Sequence, residues 1–325
     1  MSFTKSLLDG LNPFSKKGPV PTSDVSRGMS SKYLTSLIGT PGAGKTVTSN
    51  LAFYTARTLQ QQLPGFFCSI DDTNSRIKQD IADMEGGHFP PKTRAYNTYA
   101  YQAALNMWWG KNSLFGQKSA TFAVCDLAGE DQLITSQYAS QPGPQAYSQA
   151  AKLVEYIYRS QILILAAPAS RAPVFDNDTS VEYEEADVKF NPDVRLSDIF
   201  DQLIKKRKQQ NRPFKGVILV LTKVDMVDKY VEEKWGWDLY ENEGHMRAFL
   251  NKYFPWTTMS LKTLTDTWSQ TEVMILPMFV ETKKNSDGTQ KKWPDGTPII
   301  DVKDRTIKYN SKGMVNMINF IGRLV

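Results

Sequence analysis

The sequence is poor in the residues that build disulfide frameworks and zinc sites. Its 325 residues include two cysteines and two histidines. Cys68 and Cys125 each lie inside an apolar run, which fits reduced, buried thiols better than a disulfide. His88 and His245 belong to no clustered Cys/His spacing, so any metal is expected to have oxygen ligands. The composition therefore predicts a protein of the cytoplasm.

Long apolar runs and a strong charge of one sign are also missing. No run approaches the ~18 residues of a membrane span, and 39 Lys and Arg against 34 Asp and Glu leave a net charge of +5. The chain is therefore expected to be soluble. Its densest basic cluster, residues 205–208, is predicted to be the solvated end of a helix. The alternative is contact with an anionic lipid, a nucleic acid or an acidic protein; nucleic-acid binding has no other support and is not expected.

Residues 1–30 differ in composition from the rest of the chain. A short apolar-periodic piece is followed by a stretch rich in Pro, Gly and Ser. We expect a flexible N-terminal tail; the alternative is a short amphipathic anchor that gives peripheral contact with a membrane. Residues 31–325 are expected to form one domain with inserted loops near 171–195 and 281–311. The second loop contains two Asp-Gly pairs, which are typical of hairpins.

Beyond the tail, short apolar runs alternate with longer amphipathic ones. Predicted strands are residues 33–38, 66–71, 120–126, 161–167, 216–222 and 273–280. Predicted helices are residues 45–62, 74–85, 97–109, 145–159, 196–210, 239–253 and 312–324. Several strands are almost continuously apolar, which indicates burial on both faces of a parallel sheet. The pattern predicts an α/β fold of three layers with a mostly parallel central sheet.

A glycine-rich loop follows the first predicted strand and opens the first predicted helix. The sequence GTPGAGKT, from Gly39 to Thr46, satisfies the phosphate-loop pattern G-x-x-x-x-G-K-[ST]. Its glycines let backbone N–H groups surround an anion, the helix adds the positive end of its dipole, and Lys45 reaches the outer phosphates. The Thr46 hydroxyl can ligate Mg²⁺. In a P-loop NTPase fold of this kind, the predicted phosphate-binding residues are Gly39, Gly42, Ala43, Gly44, Lys45, Thr46 and Val47.

The phosphate loop does not distinguish ATP from GTP. An acidic position follows it in the sequence. Asp126 ends an apolar run and Gly129 stands three residues later. An aspartate there can hold Mg²⁺, and a glycine can present its backbone N–H to the γ-phosphate. Asp71, at the end of another apolar run, is the alternative metal ligand, but no glycine follows it.

The order of these motifs resembles that of Ras-like, translation-factor-type P-loop GTPases. In that family Asp-x-x-Gly, here Asp126 to Gly129, forms part of the second switch. The resemblance implies catalytic roles for Lys45, Gly129 and the next residue, Glu130. The family carries glutamine where this sequence has Glu130, and usually glycine where it has Pro41. These departures imply slow hydrolysis or dependence on an arginine from a partner.

A third motif, Thr222-Lys223-Val224-Asp225, follows a buried run. It resembles the family's [N/T]-K-x-D signature, in which the aspartate accepts two hydrogen bonds from guanine and the lysine stem lies along the base. Adenine lacks that pair of donors, so ATP would leave the Asp225 carboxylate unpaired at a cost of ~1–3 kcal/mol. The resemblance thus implies GTP, bound in part by Thr222, Lys223 and Asp225. Residues 281–283 stand where the family has a further loop beside guanine.

The family's first switch contributes a threonine that ligates Mg²⁺ and signals the γ-phosphate. Thr73, Thr93 and Thr98 lie in the corresponding interval, and Thr93 is preferred because its Pro-rich neighbourhood suits a mobile loop. The alternative is that Thr93 is an ordinary surface residue. The long interval after Lys45 implies an added helix and resembles the prokaryotic double-GTPase group.

The sequence therefore predicts a protein that binds GTP and GDP and hydrolyses GTP with Mg²⁺. Residues near 86–99 and 126–142 are expected to change conformation as switches. Aromatic residues beside the first of these, among them Trp108 and Trp109, indicate a surface for a protein effector or activating partner, with core packing as the alternative. Two rival functions stay open: a motor- or packaging-type P-loop ATPase, and a scaffold that binds nucleotide with little hydrolysis. The oligomeric state is not predicted.

Overall fold

The computed structural model describes residues 33–71, 75–91, 101–110, 118–126, 157–178 and 191–325. The strands in these ranges are β1 (Leu34–Gly39), β2 (Phe67–Asp71), β3 (Tyr101–Trp109), β4 (Lys118–Asp126), β5 (Ile162–Pro168), β6 (Gly216–Thr222), β7 (Glu272–Met278), β8 (Val302–Lys303) and β9 (Thr306–Ile307). The helices are α1 (Lys45–Gln62), α2 (Arg76–Glu85), α3 (Arg171–Phe175), α4 (Pro192–Gln209), α5 (Asp228–Trp235), α6 (Glu243–Tyr253), α7 (Pro255–Thr267) and α8 (Ser311–Leu324). Within the part of the chain so described, no helix is both long enough and apolar enough to cross a bilayer.

Strands β1 to β7 form one sheet in the order β2-β3-β4-β1-β5-β6-β7. The strands from β4 to β7 pair in parallel, whereas β3 runs antiparallel to both of its neighbours. Two reversals return β2 to the direction of β1. Every strand of the sheet except β3 therefore ends on one side, here called the carboxyl edge, where Gly39 and Thr222 close β1 and β6.

Successive residues of the central strands enter two separate hydrophobic cores. In β5, Ile162 and Ile164 face one core, Leu163 and Leu165 face the other, and all four are fully buried. Helices α1, α2 and α8 complete the first core, and α4, α5, α6 and α7 complete the second. A strand covered on both faces must be apolar throughout, as these are. The predicted three-layer α/β fold with a mostly parallel sheet is confirmed.

The helix predicted for residues 97–109 is wrong, because residues 101–109 form β3. The side chains that β3 buries in the first core alternate along the strand: Ala103, Leu105 and Met107. Across the neighbouring strand, the rings of Trp108 and Phe67 lie 5.4 Å apart. A run containing Ala, Leu and Met fits helical periodicity as well, so its partners on β2 and β4 decide the outcome.

The segment predicted as an inserted loop at residues 171–195 is helical at both ends. Helix α3 covers residues 171–175, and α4 begins at Pro192 instead of residue 196. Asn191 caps α4, because its Oδ1 accepts hydrogen bonds from two backbone N–H groups of the first turn. Residues 179–190 lie outside the described ranges.

The helices near the second core also differ from the prediction in number and extent. Helices α5 and α7 were not predicted, and the helix expected over 239–253 begins at Glu243. Pro255 opens α7 immediately after α6, and a proline suits the first turn of a helix. Of the helix predicted for 145–159, residues 157–159 are helical and the remainder falls outside the described ranges.

Residues 281–311 contain the hairpins that the Asp-Gly pairs predict. Tight turns at Asp287-Gly288 and Asp295-Gly296 are each flanked by an antiparallel bridge. In both turns the aspartate accepts a hydrogen bond of 2.9 Å from the backbone N–H two residues on. The equal geometry reflects a short repeat, KKNSDGTQ followed by KKWPDGTP, which sequence analysis did not identify.

The basic cluster at residues 205–208 is only partly solvated. Arg207 is 2% exposed, and it donates hydrogen bonds to the carbonyl oxygens of Tyr158, Ser160, Arg212 and Pro213. Burial lowers the pKa of Arg207 to about 10, so the guanidinium stays charged at neutral pH. Arg207 therefore links the end of α4 to two segments, the one that precedes β5 and the one that precedes β6. For an anionic partner the cluster offers the exposed Lys205 and Lys208.

Candidate functional site

The glycine-rich loop joins β1 to α1 at the carboxyl edge. Gly44, the residue before α1, has φ +74°, a left-handed conformation that side chains with a Cβ rarely adopt. A Cβ on Gly39 would lie 3.0 Å from the Cβ of Ala166 in β5. Glycine is therefore required at one position by the turn and at the other by the close approach of β5. The loop has the backbone geometry that an anion-binding nest needs.

The charge of Lys45 lies over this loop. Its Nζ donates to the carbonyl oxygens of Gly39 and Thr40, at 3.1 and 3.0 Å. Helix α1 begins at Lys45, so the helix N-terminus and the ammonium group act at the same place. Both favour negative charge there. Val47 packs against the first core and anchors the first turn of α1.

Two oxygen-bearing residues predicted to bind a metal are placed near the loop by the sheet. Thr46 stands in the first turn of α1. The parallel pairing of β1 with β4 aligns Ser36 with Ala123. Pairing between the two strands ends there, and three residues further along, Gly39 closes β1 and Asp126 closes β4. A hydroxyl and a carboxylate are hard donors that fit Mg²⁺.

Asp71, the alternative metal ligand, is in the wrong place. Antiparallel pairing aligns Asp71 with Ala104, and Ala104 is aligned with Ala123 in β4. Asp71 is thus level with Ser36 in the middle of β1, and it lies three strands away, a distance of about 14 Å. The register therefore favours Asp126.

A hydrogen bond joins the Thr222-Lys223-Val224-Asp225 motif to the glycine-rich loop. Thr222 ends β6, is 2% exposed, and donates a hydrogen bond from Oγ1 to the carbonyl oxygen of Ala43 at 2.9 Å. Lys223 then adopts φ +59°, and a turn of 3-10 helix carries Asp225. In this arrangement Thr222 positions the two loops relative to each other.

The surroundings of Asp225 disfavour the charged form of its carboxyl group. Burial, with a smaller contribution from the charge of Asp228, raises the pKa of Asp225 to about 6. The nearby ammonium groups of Lys284 and Lys223 act in the opposite direction. A ligand with two N–H donors would supply the hydrogen bonds that this half-buried carboxylate needs.

Several neighbours of Asp225 were missed by sequence analysis. Tyr240 donates from its hydroxyl to Asp228 Oδ2 at 2.8 Å, and its ring meets that of Phe279 edge-on at 4.8 Å. Lys284, rather than the residues 281–283 that were compared with the family's loop, provides the nearby positive charge. Asp228 stands in the TKVDMVD stretch and was the one neighbour with a local signal; Tyr240, Phe279 and Lys284 come from distant parts of the chain.

The structure brings ten of the predicted nucleotide-binding residues to the carboxyl edge. They are Gly39, Gly42, Ala43, Gly44, Lys45, Thr46, Val47, Thr222, Lys223 and Asp225. Asp126 joins them through its place at the end of β4. Thr93, Gly129 and Glu130 lie outside the described residues, as do the other two candidate switch threonines and residues 1–30.

Comparison with known proteins shows similarity to solved structures only. No protein-family model matches the chain, and no curated protein matches it. The Ski7 GTPase-like domain of S. cerevisiae bound to GDP and inorganic phosphate aligns with TM-score 0.36 and 10% identity, over 94% of this chain and 52% of that one. The same domain bound to GTP aligns with TM-score 0.32 and 12% identity, over 86% and 50%.

A third solved structure is the signal recognition particle receptor SRb-GTP/SRX complex from Chaetomium thermophilum. It aligns with TM-score 0.30 and 13% identity, over 76% of this chain and 93% of that one. The chain spans about half the length of the two Ski7 chains. Similarity at this level assigns no function, so the functional argument rests on the geometry of the carboxyl edge.

Proposed function

We propose that this chain binds GTP at the carboxyl edge and hydrolyses it to GDP and phosphate. The observation that carries the proposal is the hydrogen bond of 2.9 Å from Thr222 Oγ1 to the Ala43 carbonyl oxygen. It joins the anion-binding loop directly to the motif that ends in Asp225. A phosphate site and a base-reading carboxylate held as one unit suit a nucleotide, which has an anionic end and a hydrogen-bonding end.

The phosphate end uses the backbone and charge of the loop. The backbone N–H groups from Gly42 to Thr46 bind the phosphate oxygens, and Lys45 moves from its carbonyl partners to the outer phosphates. Thr46, Asp126 and Thr93 would hold a Mg²⁺ ion, which would neutralise charge on the β- and γ-phosphates.

At the base end, Asp225 accepts hydrogen bonds from the two guanine N–H groups that face it. Lys223 covers one face of the base, in keeping with the resemblance of the motif to the [N/T]-K-x-D signature. Because burial already disfavours the Asp225 charge, guanine removes a penalty that adenine would leave in place. The site therefore selects GTP over ATP.

Hydrolysis requires a water molecule to reach the γ-phosphate. The water oxygen forms a bond to the γ-phosphorus, the bond from that phosphorus to the β–γ bridging oxygen breaks, and its electron pair leaves on GDP. The proton of the water passes to the released phosphate or to solvent. We assign the Gly129 N–H to the γ-phosphate and Glu130 to orientation of the water. The negative charge of Glu130 opposes the reaction, so turnover is slow unless a cation compensates it.

The same proposal covers the regulation and location of the protein. Contacts with the γ-phosphate hold residues 86–99 and 126–142 in one conformation, and loss of the phosphate releases them to a protein effector or activating partner. We place the protein in the cytoplasm, with residues 1–30 as a flexible tail, and near the prokaryotic double-GTPase group. Peripheral membrane contact through that tail is the alternative.

The test is a titration of the purified protein with fluorescent analogues of GDP and ADP in the presence of Mg²⁺. Two hydrogen bonds to a charged group contribute about 3 kcal/mol together, so GDP should bind about 100-fold more tightly than ADP. Asp225→Ala should remove this preference by weakening GDP binding, with ADP binding unchanged. Asp266→Ala, an exposed change of the same kind in α7, serves as the control and should alter neither.

Each contrary result points to one rival. Equal binding of the two analogues, or a preference for ADP that Asp225→Ala does not touch, would overturn guanine recognition and leave the ATPase. Guanine-specific binding without phosphate release from GTP, alone or with cell extract, would leave the nucleotide-binding scaffold.

A further inference from the structure

A buried polar cluster lies between α1 and α2, outside the motifs discussed above. Asp80 of α2 is 3% exposed and Asn50 of α1 is 1% exposed. Asn50 Nδ2 donates to Asp80 Oδ2 at 3.2 Å, and Arg76 Nε lies 3.8 Å from the same oxygen. A buried carboxylate requires such partners. In return, Asp80 holds Arg76 Nε close to the contact between α1 and α2.

The two helices run side by side in the same direction. Strand β2 points the same way as β1, so α1 and α2 both leave the sheet on the side of the carboxyl edge. Their contacts agree: Asp80 meets Asn50, and further along both helices Glu85 acts on Tyr54, where burial and the Glu85 charge raise the Tyr54 pKa.

This parallel arrangement places Arg76 at the phosphate end of the pair. Arg76 precedes Asp80 by one helical turn, and Thr46 precedes Asn50 by one turn. Four residues advance a helix by about 6 Å, and residues four apart share a face. The start of α2 at Arg76 is thus level with Thr46, in the first turn of α1. The Arg76 side chain is 30% exposed, and its Nε lies 3.8 Å from Asp80 Oδ2.

We propose that Arg76 supplies, within this chain, the arginine that contacts the γ-phosphate of bound GTP, with Asp80 and Asn50 as its positioning residues. The inference rests on the proposed function. As water bonds to the γ-phosphorus and the electron pair of the breaking bond moves onto GDP, negative charge grows on the oxygens between them. The guanidinium of Arg76 stabilises that charge.

The proposal is tested with the full chain in three forms. Arg76→Ala removes the guanidinium, and Arg76→Lys keeps the charge but loses the two-pronged donor. Lys78→Ala is the matched control, because Lys78 is an exposed cation on a different face of the same helix. For each protein we would measure affinity for fluorescent GDP, GTP turnover, and formation of a complex with GDP and fluoroaluminate, which imitates the phosphoryl group in transfer.

We expect GDP affinity to stay within about twofold in all variants, since the arginine acts on the γ-phosphate. Turnover should fall by at least about 1,000-fold in Arg76→Ala, the low end of what such an arginine supplies, and remain impaired in Arg76→Lys. Wild type and Lys78→Ala should form the fluoroaluminate complex without a partner protein, and both Arg76 variants should lose it. Millimolar guanidinium should restore part of the turnover of Arg76→Ala.

Two results would overturn the inference while leaving guanine binding intact. One is an Arg76→Ala protein that turns over GTP at the wild-type rate, which would make the pair with Asp80 structural. The other is a wild-type protein that binds GDP but forms no fluoroaluminate complex by itself, which would mean that the arginine comes from a partner. Failure of the wild type to bind GDP would instead refute the proposed function, and this inference with it.

Discussion

Replacing Asp225 by asparagine should stabilise the nucleotide-free protein at neutral pH while it weakens guanine binding. Burial, with a smaller contribution from Asp228, raises the pKa of Asp225 from 3.8 to about 6. A rise of that size corresponds to about 3 kcal/mol opposing folding when the carboxylate is charged. Asparagine has nearly the same shape and no charge, so Asp225→Asn should recover a large part of this free energy.

The pH dependence has a definite sign. The folded Asp225 carboxyl holds its proton up to a higher pH than the unfolded one, so between 3.8 and about 6 the folded state binds more protons. Its contribution to the free energy of unfolding therefore falls as pH rises through that window, and the loss is complete above it. The gain from Asp225→Asn should be close to zero near the acid end and largest at neutral pH.

Urea denaturation of the nucleotide-free protein at about pH 4 and about pH 7 measures both effects. The exposed Asp266→Asn change controls for the general loss of an aspartate and should show no pH-dependent difference from wild type. A destabilised Asp225→Asn protein at neutral pH, or the same difference at both pH values, would refute the reasoning. Either result would mean that the Asp225 charge does not oppose folding.

Two further predictions use matched pairs of substitutions. Thr222 and Thr271 each donate a buried hydroxyl hydrogen bond to a backbone carbonyl, at 2.9 and 2.7 Å, so valine at either position should cost about 1 kcal/mol of stability. In titrations with GDP, Thr222→Val alone should weaken binding. An equal effect of Thr271→Val would contradict the role of the Thr222 bond. Gly44 and Gly236 have φ +74° and +67°, so alanine at either position should lower the free energy of unfolding by about 1–2 kcal/mol. Only Gly44→Ala should abolish GDP binding. A Gly44→Ala protein that still binds GDP would show that the loop does not need its present shape.

The parts of the molecule that follow from local sequence were predictable. Strand β5, and β6 as far as Leu221, are apolar because they are covered on both faces, and that requirement is visible in their residues alone. The glycine-rich loop was equally predictable, because Gly44 is required by its own left-handed backbone conformation and Lys45 is the first residue of the helix that follows. In both cases the physical cause acts within a few residues of its sequence signal.

Features that depend on distant parts of the chain were not predictable in this way. Strand β3 has residues that suit a helix, and it is a strand because it has a partner on each side. Lys284 and Tyr240 surround Asp225 only because β6 and β7 are adjacent, so that their following segments meet. Arg207 looked like part of a solvated basic cluster, and its role depends on carbonyl groups that other segments deliver.

The corrected strand also explains the direction in which α2 leaves the sheet. Had residues 97–109 been a helix, β2 would lack its partner, and nothing would fix the direction in which α2 leaves the sheet. Because β3 is antiparallel to both β2 and β4, β2 runs parallel to β1. Helix α2 therefore starts on the side of the carboxyl edge, and its first residue, Arg76, is carried to the level of Thr46. One antiparallel strand thus brings a helix remote in sequence to the same side of the sheet as the glycine-rich loop.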